Sequence, residues 1–420
     1  MPGSASPAKA VDGWALDRHQ RLPGAVTAAR SLRNPWADAL RALALLGVFI
    51  VNAVGYAQAP DYPQPVGGPL PADAPVALVL HGLLVALVQG KAWSVLCFLL
   101  GFSLGDMALR LRAMGQNVWR GLRARYRALL LVGVLHGALL YFGDILTMYA
   151  LCGGWAARWA TARPARLLRI WRHTTVLAIV MLLVLGGSLW LAQYAPSDTQ
   201  PTPIVLMHAP TPWDFMVANA DAYLWAQVGS LLFFLPMLLW LTVAGLLARR
   251  FGLLGTRRYA RQFWRRHLGP MHLVLALALN LGLALATVRL HALGQADTTQ
   301  LGLATVLMGL PGIWLAAAAV GWCMRYQHRH PSPPRWVTWL APAGQHTLAM
   351  YLLLSLALVL GRTALQSLEG ATAPSLALAI AAWWVAVCAA RWATRRGLRD
   401  PVSRWLSQRT KAALLKHAPR

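Results

Sequence analysis

The chain alternates long apolar runs with short, arginine-rich breaks. A bilayer-spanning helix needs about 20 predominantly apolar residues. Nine segments meet that pattern, at approximately 38–56, 93–109, 128–143, 173–194, 224–248, 269–288, 300–323, 339–361 and 374–392. A tenth, weaker segment runs from about 144 to 160. Residues 76–90 form a shorter apolar stretch, interrupted at Gly90-Lys91. It reads as an outer interfacial helix, a re-entrant helix, or the first part of a long, kinked second span.

Helix starts are marked. Asn34-Pro35 gives an N-cap and a first-turn proline before the first span. Thr211-Pro212-Trp213-Asp214 predicts a short outer helix inside the proline-rich loop 195–223. Thr372-Ala373-Pro374 opens the last span. Tryptophans gather near span ends, as in an aromatic belt.

Charge sets the orientation. With the N-terminus inside, the inner segments are 1–37, 110–127, 158–172, 249–267, 325–335 and 391–420. They hold 35 of the 39 Lys+Arg residues, and the outer segments 57–75 and 195–223 hold none. Cytoplasmic loops carry this excess in membrane proteins. Ten spans with both termini cytoplasmic therefore account for the distribution. The expected organisation is a flexible tail over 1–30, one transmembrane domain over 31–406, and a basic tail over 407–420. The first tail lacks an apolar run of leader length.

Composition narrows the class. Hydrophobic residues make up 57% of the 420 and charged residues 12%, with a formal net charge of +26. A soluble domain is less apolar and about twice as charged. Nucleic-acid binding is excluded by the apolar majority, and disorder by the same feature. Cys97, Cys152, Cys323 and Cys388 sit in apolar runs without C-x-x-C spacing, so neither zinc nor a disulfide framework is indicated. His328 and His330 alone are a weak metal pattern, and no metal site is expected. Phosphate-binding glycine loops and the G-x-S-x-G elbow are missing from the sequence.

Polar groups inside spans are costly and are functional hypotheses by default. Asp38 and Arg41 share a face at the inner start of the first span, as a helix-anchoring ion pair or an anchor for an anionic cofactor or headgroup. Asn52 lies about 21 Å further along that helix. His136 falls near the membrane midplane, either as an interhelical hydrogen-bonding group or as a neutral base. Asp144, in Gly143-Asp144-Ile145-Leu146, sits where it would cap the next helix, with Tyr149 about one turn on. Lys91 opens span two and either snorkels or binds. Asp106 is expected to pair with an inner arginine. The inner arginine loops suit anionic lipid or a phosphorylated donor.

These residues resemble the YeiB-like bacterial inner-membrane family, domain of unknown function 418. Asp38-Ala39-Leu40-Arg41-Ala42-Leu43-Ala44-Leu45-Leu46-Gly47 with Asn52 looks like its D-x-x-R-G-x-A-L-x-G…N opening. Lys91 with Phe98-Leu99-Leu100-Gly101-Phe102 looks like its G-K-F…F-L-F-G-x-G segment. Leu130, Gly133, His136 and Gly143-Asp144-Ile145-Leu146 with Tyr149-Ala150 look like its L-x-x-G-x-x-H…G-D-I-L-x-x-Y-A block. Gly344 through Leu352 and the tail Asp400-Pro401 through Arg404 complete the likeness. Ala42, Gln345-His346, Asp400 and Ser403 depart from the pattern.

The resemblance implies a bacterial inner-membrane location and a distant similarity to membrane acyltransferases such as heparan glucosaminide N-acetyltransferase. That enzyme's catalytic histidine follows span one. The loop 53–75 here has no histidine, and His81 comes too late, so His136 is the better base. Acyl or small-group transfer is thus the leading expectation, with acyl-CoA near Arg41 and the acceptor near Asn52, Lys91 and Asp144. A small-solute transporter with a His136/Asp144 proton relay is the alternative, and a structural or regulatory role is the third. Anionic lipids, an unidentified small substrate and, by analogy, a second copy of the chain are the expected partners.

Overall fold

A computed structural model describes residues 34–58, 75–192, 194, 209–293, 298–330, 332–361 and 372–415. The expected tail over 1–30, most of the outer segment 57–75, the first part of the outer segment 195–223, Arg362 and Glu369 lie outside them.

Every regular element among the described residues is helical. The chain runs α1 (Pro35–Gln58), α2 (Pro75–Leu87), α3 (Lys91–Ala113), α4 (Val118–Leu139) and α5 (Leu146–Ala156). It continues through α6 (Pro164–Ala192), α7 (Pro212–Gly229), α8 (Leu235–Arg250), α9 (Arg258–His267), α10 (Pro270–Ala292) and α11 (Thr298–Leu307). It ends with α12 (Gly309–Arg329), α13 (Arg335–Gly344), α14 (Thr347–Leu360), α15 (Thr372–Arg395) and α16 (Pro401–Leu415). Seven described helical segments are long and apolar enough to cross a bilayer. The number is eight if α13 and α14, bent by 78°, act as one broken span. The protein is an all-helical, multi-pass membrane protein.

Two of the ten expected spans, 128–143 and 144–160, fall outside that set. α4 carries Arg120, Arg123, Arg125 and Arg127 in its first half, so only its second half is apolar. α5 has 11 residues, about 16 Å at 1.5 Å each, and is too short for a core about 30 Å thick. α4 and α5 pack together as a hairpin whose turn, residues 140–145, carries Asp144.

Residues 76–90 belong to a long kinked helix. α2 and α3 form one 39-residue apolar segment, Pro75–Ala113. The break falls at Gly90, whose φ of 78° lies in the left-handed region that glycine adopts without strain. α7 and α8 form a second 39-residue segment, Pro212–Arg250. They join through a π-helical turn, Ser230–Phe234, just before Pro236. A proline nitrogen cannot donate into the preceding turn, and local rewinding accommodates it. The expected short outer helix is therefore the 18-residue start of a spanning segment. It is capped as the sequence indicates, with Thr211 Oγ1 accepting from Asp214 N at 3.1 Å.

Burial separates the centre from the rim. The spanning window of α1 is 72% buried, and that of α6 only 11%. α1 packs against α3, α13 and α15, so it is the central helix, and α6 presents Leu177, Leu183 and Leu191 outward. The most extensive helix pair is α3 with α8. A Cβ on Gly101 would lie 1.8 Å from Thr242 O, and one on Gly245 would lie 1.8 Å from Phe98 O. The two backbones touch, as small residues allow in a bilayer.

Candidate functional site

The α4–α5 hairpin brings His136 and Asp144 together. His136 is in the last turn of α4, and its Nδ1 lies 2.8 Å from Asp144 Oδ1. Both side chains are buried. Asp144 also caps α5: Leu146 N donates to Oδ1 at 3.1 Å and Thr147 N to Oδ2 at 2.7 Å. An ionised carboxylate only accepts, so His136 Nδ1 carries a proton in this contact, and in a neutral ring the lone pair is then on Nε2. That Nε2 is buried and has no hydrogen-bond partner among the described residues. The pair is thus an imidazole oriented by a carboxylate with its second nitrogen unpartnered, the geometry of a general base or a proton relay.

Tight packing fixes the turn. A Cβ on Gly133 would sit 2.6 Å from Thr147 N, so only glycine lets α4 approach the start of α5 this closely. A Cβ on Gly137 would sit 2.1 Å from the Tyr223 ring. The Tyr351 ring centroid lies 4.9 Å from that of His136. The Tyr351 hydroxyl accepts from Ile145 N at 3.4 Å.

α7 supplies a polar stripe that the sequence reading missed. Asn219, Tyr223 and Gln227 are four residues apart and share one helix face. Asn219 Nδ2 donates to Gly137 O at 2.8 Å and Ala138 O at 2.9 Å, and its Oδ1 accepts from Phe142 N at 2.8 Å. These are backbone groups that the end of α4 and the turn leave without helical partners. The Tyr223 hydroxyl meets Thr147 Oγ1 at 2.9 Å, and Gln227 Nε2 donates to Asp144 O at 3.3 Å. The i, i+4, i+8 spacing was visible in the sequence, but placing 219 and 223 in an outer loop hid it.

The other predicted site residues do not join this cluster. Tyr149 turns to α3, where its hydroxyl donates to Trp93 O at 3.3 Å. Lys91 is buried and does not snorkel. Its Nζ donates to Val85 O at 2.7 Å, and its stem lies against Gly312. Asn52 is half-buried, and its side chain makes no hydrogen bond among the described residues. Asp38 and Arg41 are ion-paired at the start of α1, and Arg41 Nη2 also donates to Ser103 Oγ at 2.6 Å. Asp106 pairs with Arg110 and with Arg249, the latter at 2.9 Å. His81 packs edge-on against His291 at 4.7 Å between ring centroids.

His346, Asp400 and Ser403 meet in space. His346 Nδ1 lies 3.4 Å from Asp400 Oδ2, and Ser403 N donates to Asp400 Oδ1 at 2.7 Å. Thr394 Oγ1 donates to Ala390 O at 2.9 Å, so it accepts from His346 Nε2 at 3.0 Å. Burial pushes the Asp400 carboxyl up, but hydrogen bonds from His346 and Ser403 outweigh that and hold it below the ordinary carboxylate range. The cluster ties α16 to the α13–α14 break.

A 137-residue stretch of the chain is 31% identical to the uncharacterised protein YxaH of Bacillus subtilis strain 168. It covers 32% of this chain and 34% of that protein, so the chain spans about a third of the relative it matches. No family model and no solved structure matches the chain.

Proposed function

We propose that the protein transfers an acyl or similar small group across or at a bacterial inner membrane, with His136 as the base and Asp144 as its orienting partner. The observation that carries this reading is the carboxylate on His136 Nδ1 together with the unpartnered Nε2. Nε2 removes the proton of an acceptor hydroxyl or amine as that group attacks the donor thioester. The thiolate of coenzyme A leaves and is protonated in turn. Arg41, beside Ser103 at the inner end of α1, and the arginine loops favour an anionic donor such as acyl-CoA from the cytoplasm. The acceptor approaches from the outer side, towards Asn52, Lys91 and Asp144. In this reading the chain is YeiB-like, with eight spans plus the α4–α5 hairpin, cytoplasmic termini, anionic lipid along its inner face and a homodimeric state.

Purified protein in lipid nanodiscs is to be tested for acyl-CoA binding and turnover. H136A should lose at least about 10²-fold in turnover, the usual general-base contribution, with binding retained. R41E should lose the binding. No stabilisation by acyl-CoA and no turnover would overturn the reading.

One observation favours a second reading. His136 Nε2 is enclosed, with Tyr141 and Tyr351 as ring neighbours. A proton needs no cavity, so the same dyad suits a relay in a small-solute transporter. Solute movement driven by a pH gradient in proteoliposomes without coenzyme A, and abolished by H136A, selects this alternative.

A further inference from the structure

Two membrane helices are broken, and their breaks meet. The segment Pro75–Ala113 is interrupted at Gly90, between α2 and α3. The segment Gly302–Arg329 is interrupted at Met308, between α11 and α12. Pro311, in the first turn of α12, has no N–H with which to continue the α11 ladder. Gln89 Nε2 lies 3.5 Å from Thr305 Oγ1 across the two segments. A Cβ on Gly312 would sit 3.6 Å from Lys91 Cε and 3.7 Å from its Nζ. Asn280 of α10 reaches the same turn, with Nδ2 donating to Pro311 O at 2.9 Å. Asn280 is near the middle of the 23-residue α10, about 15–18 Å from either end at 1.5 Å per residue. Lys91 and Asn280 therefore meet α12 at consecutive residues, near the bilayer midplane.

Both side chains are left incomplete. Lys91 is 5% exposed. Its one side-chain hydrogen bond caps Val85 O at the end of α2, a task that a neutral donor performs equally well. No carboxylate among the described residues pairs with it. A buried cation without a counter-charge is costly, and inside a span it is functional by default. The helix starts beside it supply no negative group. No side chain caps α3 or α12, neither first turn holds an acid, and both starts add positive potential. Asn280 is fully buried, and its Oδ1 has no hydrogen-bond partner among the described residues. Exchanging O and N in this amide would set oxygen against Ala276 O and Pro311 O, so the free atom is the acceptor. The break is not filled by protein, since a Cβ on Gly90 would meet no atom within 4 Å.

We propose that the paired breaks form a binding site for a small hydroxy acid. Its carboxylate accepts from the remaining Lys91 N–H groups and faces the starts of α3 and α12, the arrangement that discontinuous membrane helices offer to anions. Its hydroxyl donates to Asn280 Oδ1. A halide or a simple monocarboxylate leaves Asn280 unsatisfied. An amino acid brings an ammonium to a place with no described counter-charge. The site names the chemistry of the outer-side substrate that the proposed function directs towards Lys91, and it rests on that reading for the substrate's fate but not for its binding.

The test is scintillation-proximity binding of radiolabelled lactate to the full-length protein in zwitterionic nanodiscs, without acyl-CoA. Binding should saturate. Acetate lacks the hydroxyl and lactamide lacks the carboxylate. Each should compete at least about tenfold more weakly than unlabelled lactate, as expected when a buried polar group loses its partner. K91Q keeps a neutral donor for Val85 O, and at an unchanged thermal midpoint it should lose at least about tenfold in affinity. No saturable binding by the wild type, equal competition by all three compounds, or wild-type affinity in K91Q would overturn the proposal. The competition series uses the unmodified protein, so a variant that fails to fold does not remove the test. Lactate binding without any acyl-CoA turnover supports the site and counts only against acyl transfer.

Discussion

Asn219 is the residue whose loss should most affect the hairpin without touching the dyad. It is fully buried and makes three hydrogen bonds to the backbone around the α4–α5 turn. The N219L variant keeps the number and branching of the side-chain heavy atoms and removes all three. Hydrogen bonds measured inside membranes average about 0.6 kcal/mol, which gives about 2 kcal/mol for the set. The value of about 1 kcal/mol per bond typical of soluble proteins gives about 3 kcal/mol. The expected loss is therefore about 2–3 kcal/mol, measured by unfolding in mixed micelles followed by tryptophan fluorescence. A220L changes an exposed neighbour on the same helix and should cost little. N219D has the shape of asparagine but places a carboxylate against two carbonyl oxygens, so it should be at least as damaging as N219L. A loss below about 0.5 kcal/mol, indistinguishable from A220L, would refute the idea that α7 holds the turn.

Three further outcomes are expected. G101A or G245A should sharply reduce the folded, monodisperse fraction in size-exclusion chromatography, because either Cβ would overlap a facing carbonyl. Such overpacking costs about 3 kcal/mol or more, and a well-folded G101A protein would contradict the packing described for α3 and α8. D400A should lower the thermal midpoint by the loss of a helix cap, about 1 kcal/mol, plus the loss of the His346 contact. Because the folded Asp400 carboxyl is held below its ordinary range, its charge stabilises the fold above that range. The benefit disappears as pH falls through the lowered value. The gap in midpoint between wild type and D400N should thus be full at neutral pH and close in acid, whereas a gap constant with pH would contradict the assignment.

The helical membrane class was legible because apolar runs of about 20 residues admit few other solutions. Thr211 and Asp144 were legible as caps because their chemistry is local. The His136–Asp144 pairing was only half legible. Both residues stood out as polar groups in apolar surroundings, but their contact depends on where α4 ends and how the turn folds back. The continuity of α2 with α3 was hidden by Gly90, which reads equally as a break or a kink. The roles of Asn219 and Tyr223 were hidden by a loop boundary drawn from hydropathy alone. Tyr351 and the His346–Asp400 contact involve residues far apart in the chain, and no local pattern announces them.

The central claim is that Asp144 holds His136 with its proton on Nδ1 and its Nε2 lone pair free. Nitrogen NMR of histidine-labelled protein in nanodiscs tests this directly, with H136Q assigning the signal. The expected result is a protonated, hydrogen-bonded Nδ1 and an unprotonated Nε2 in wild type. In D144N this single tautomer should be lost. A His136 protonated on Nε2 in wild type, or a signal unchanged in D144N, would contradict the account.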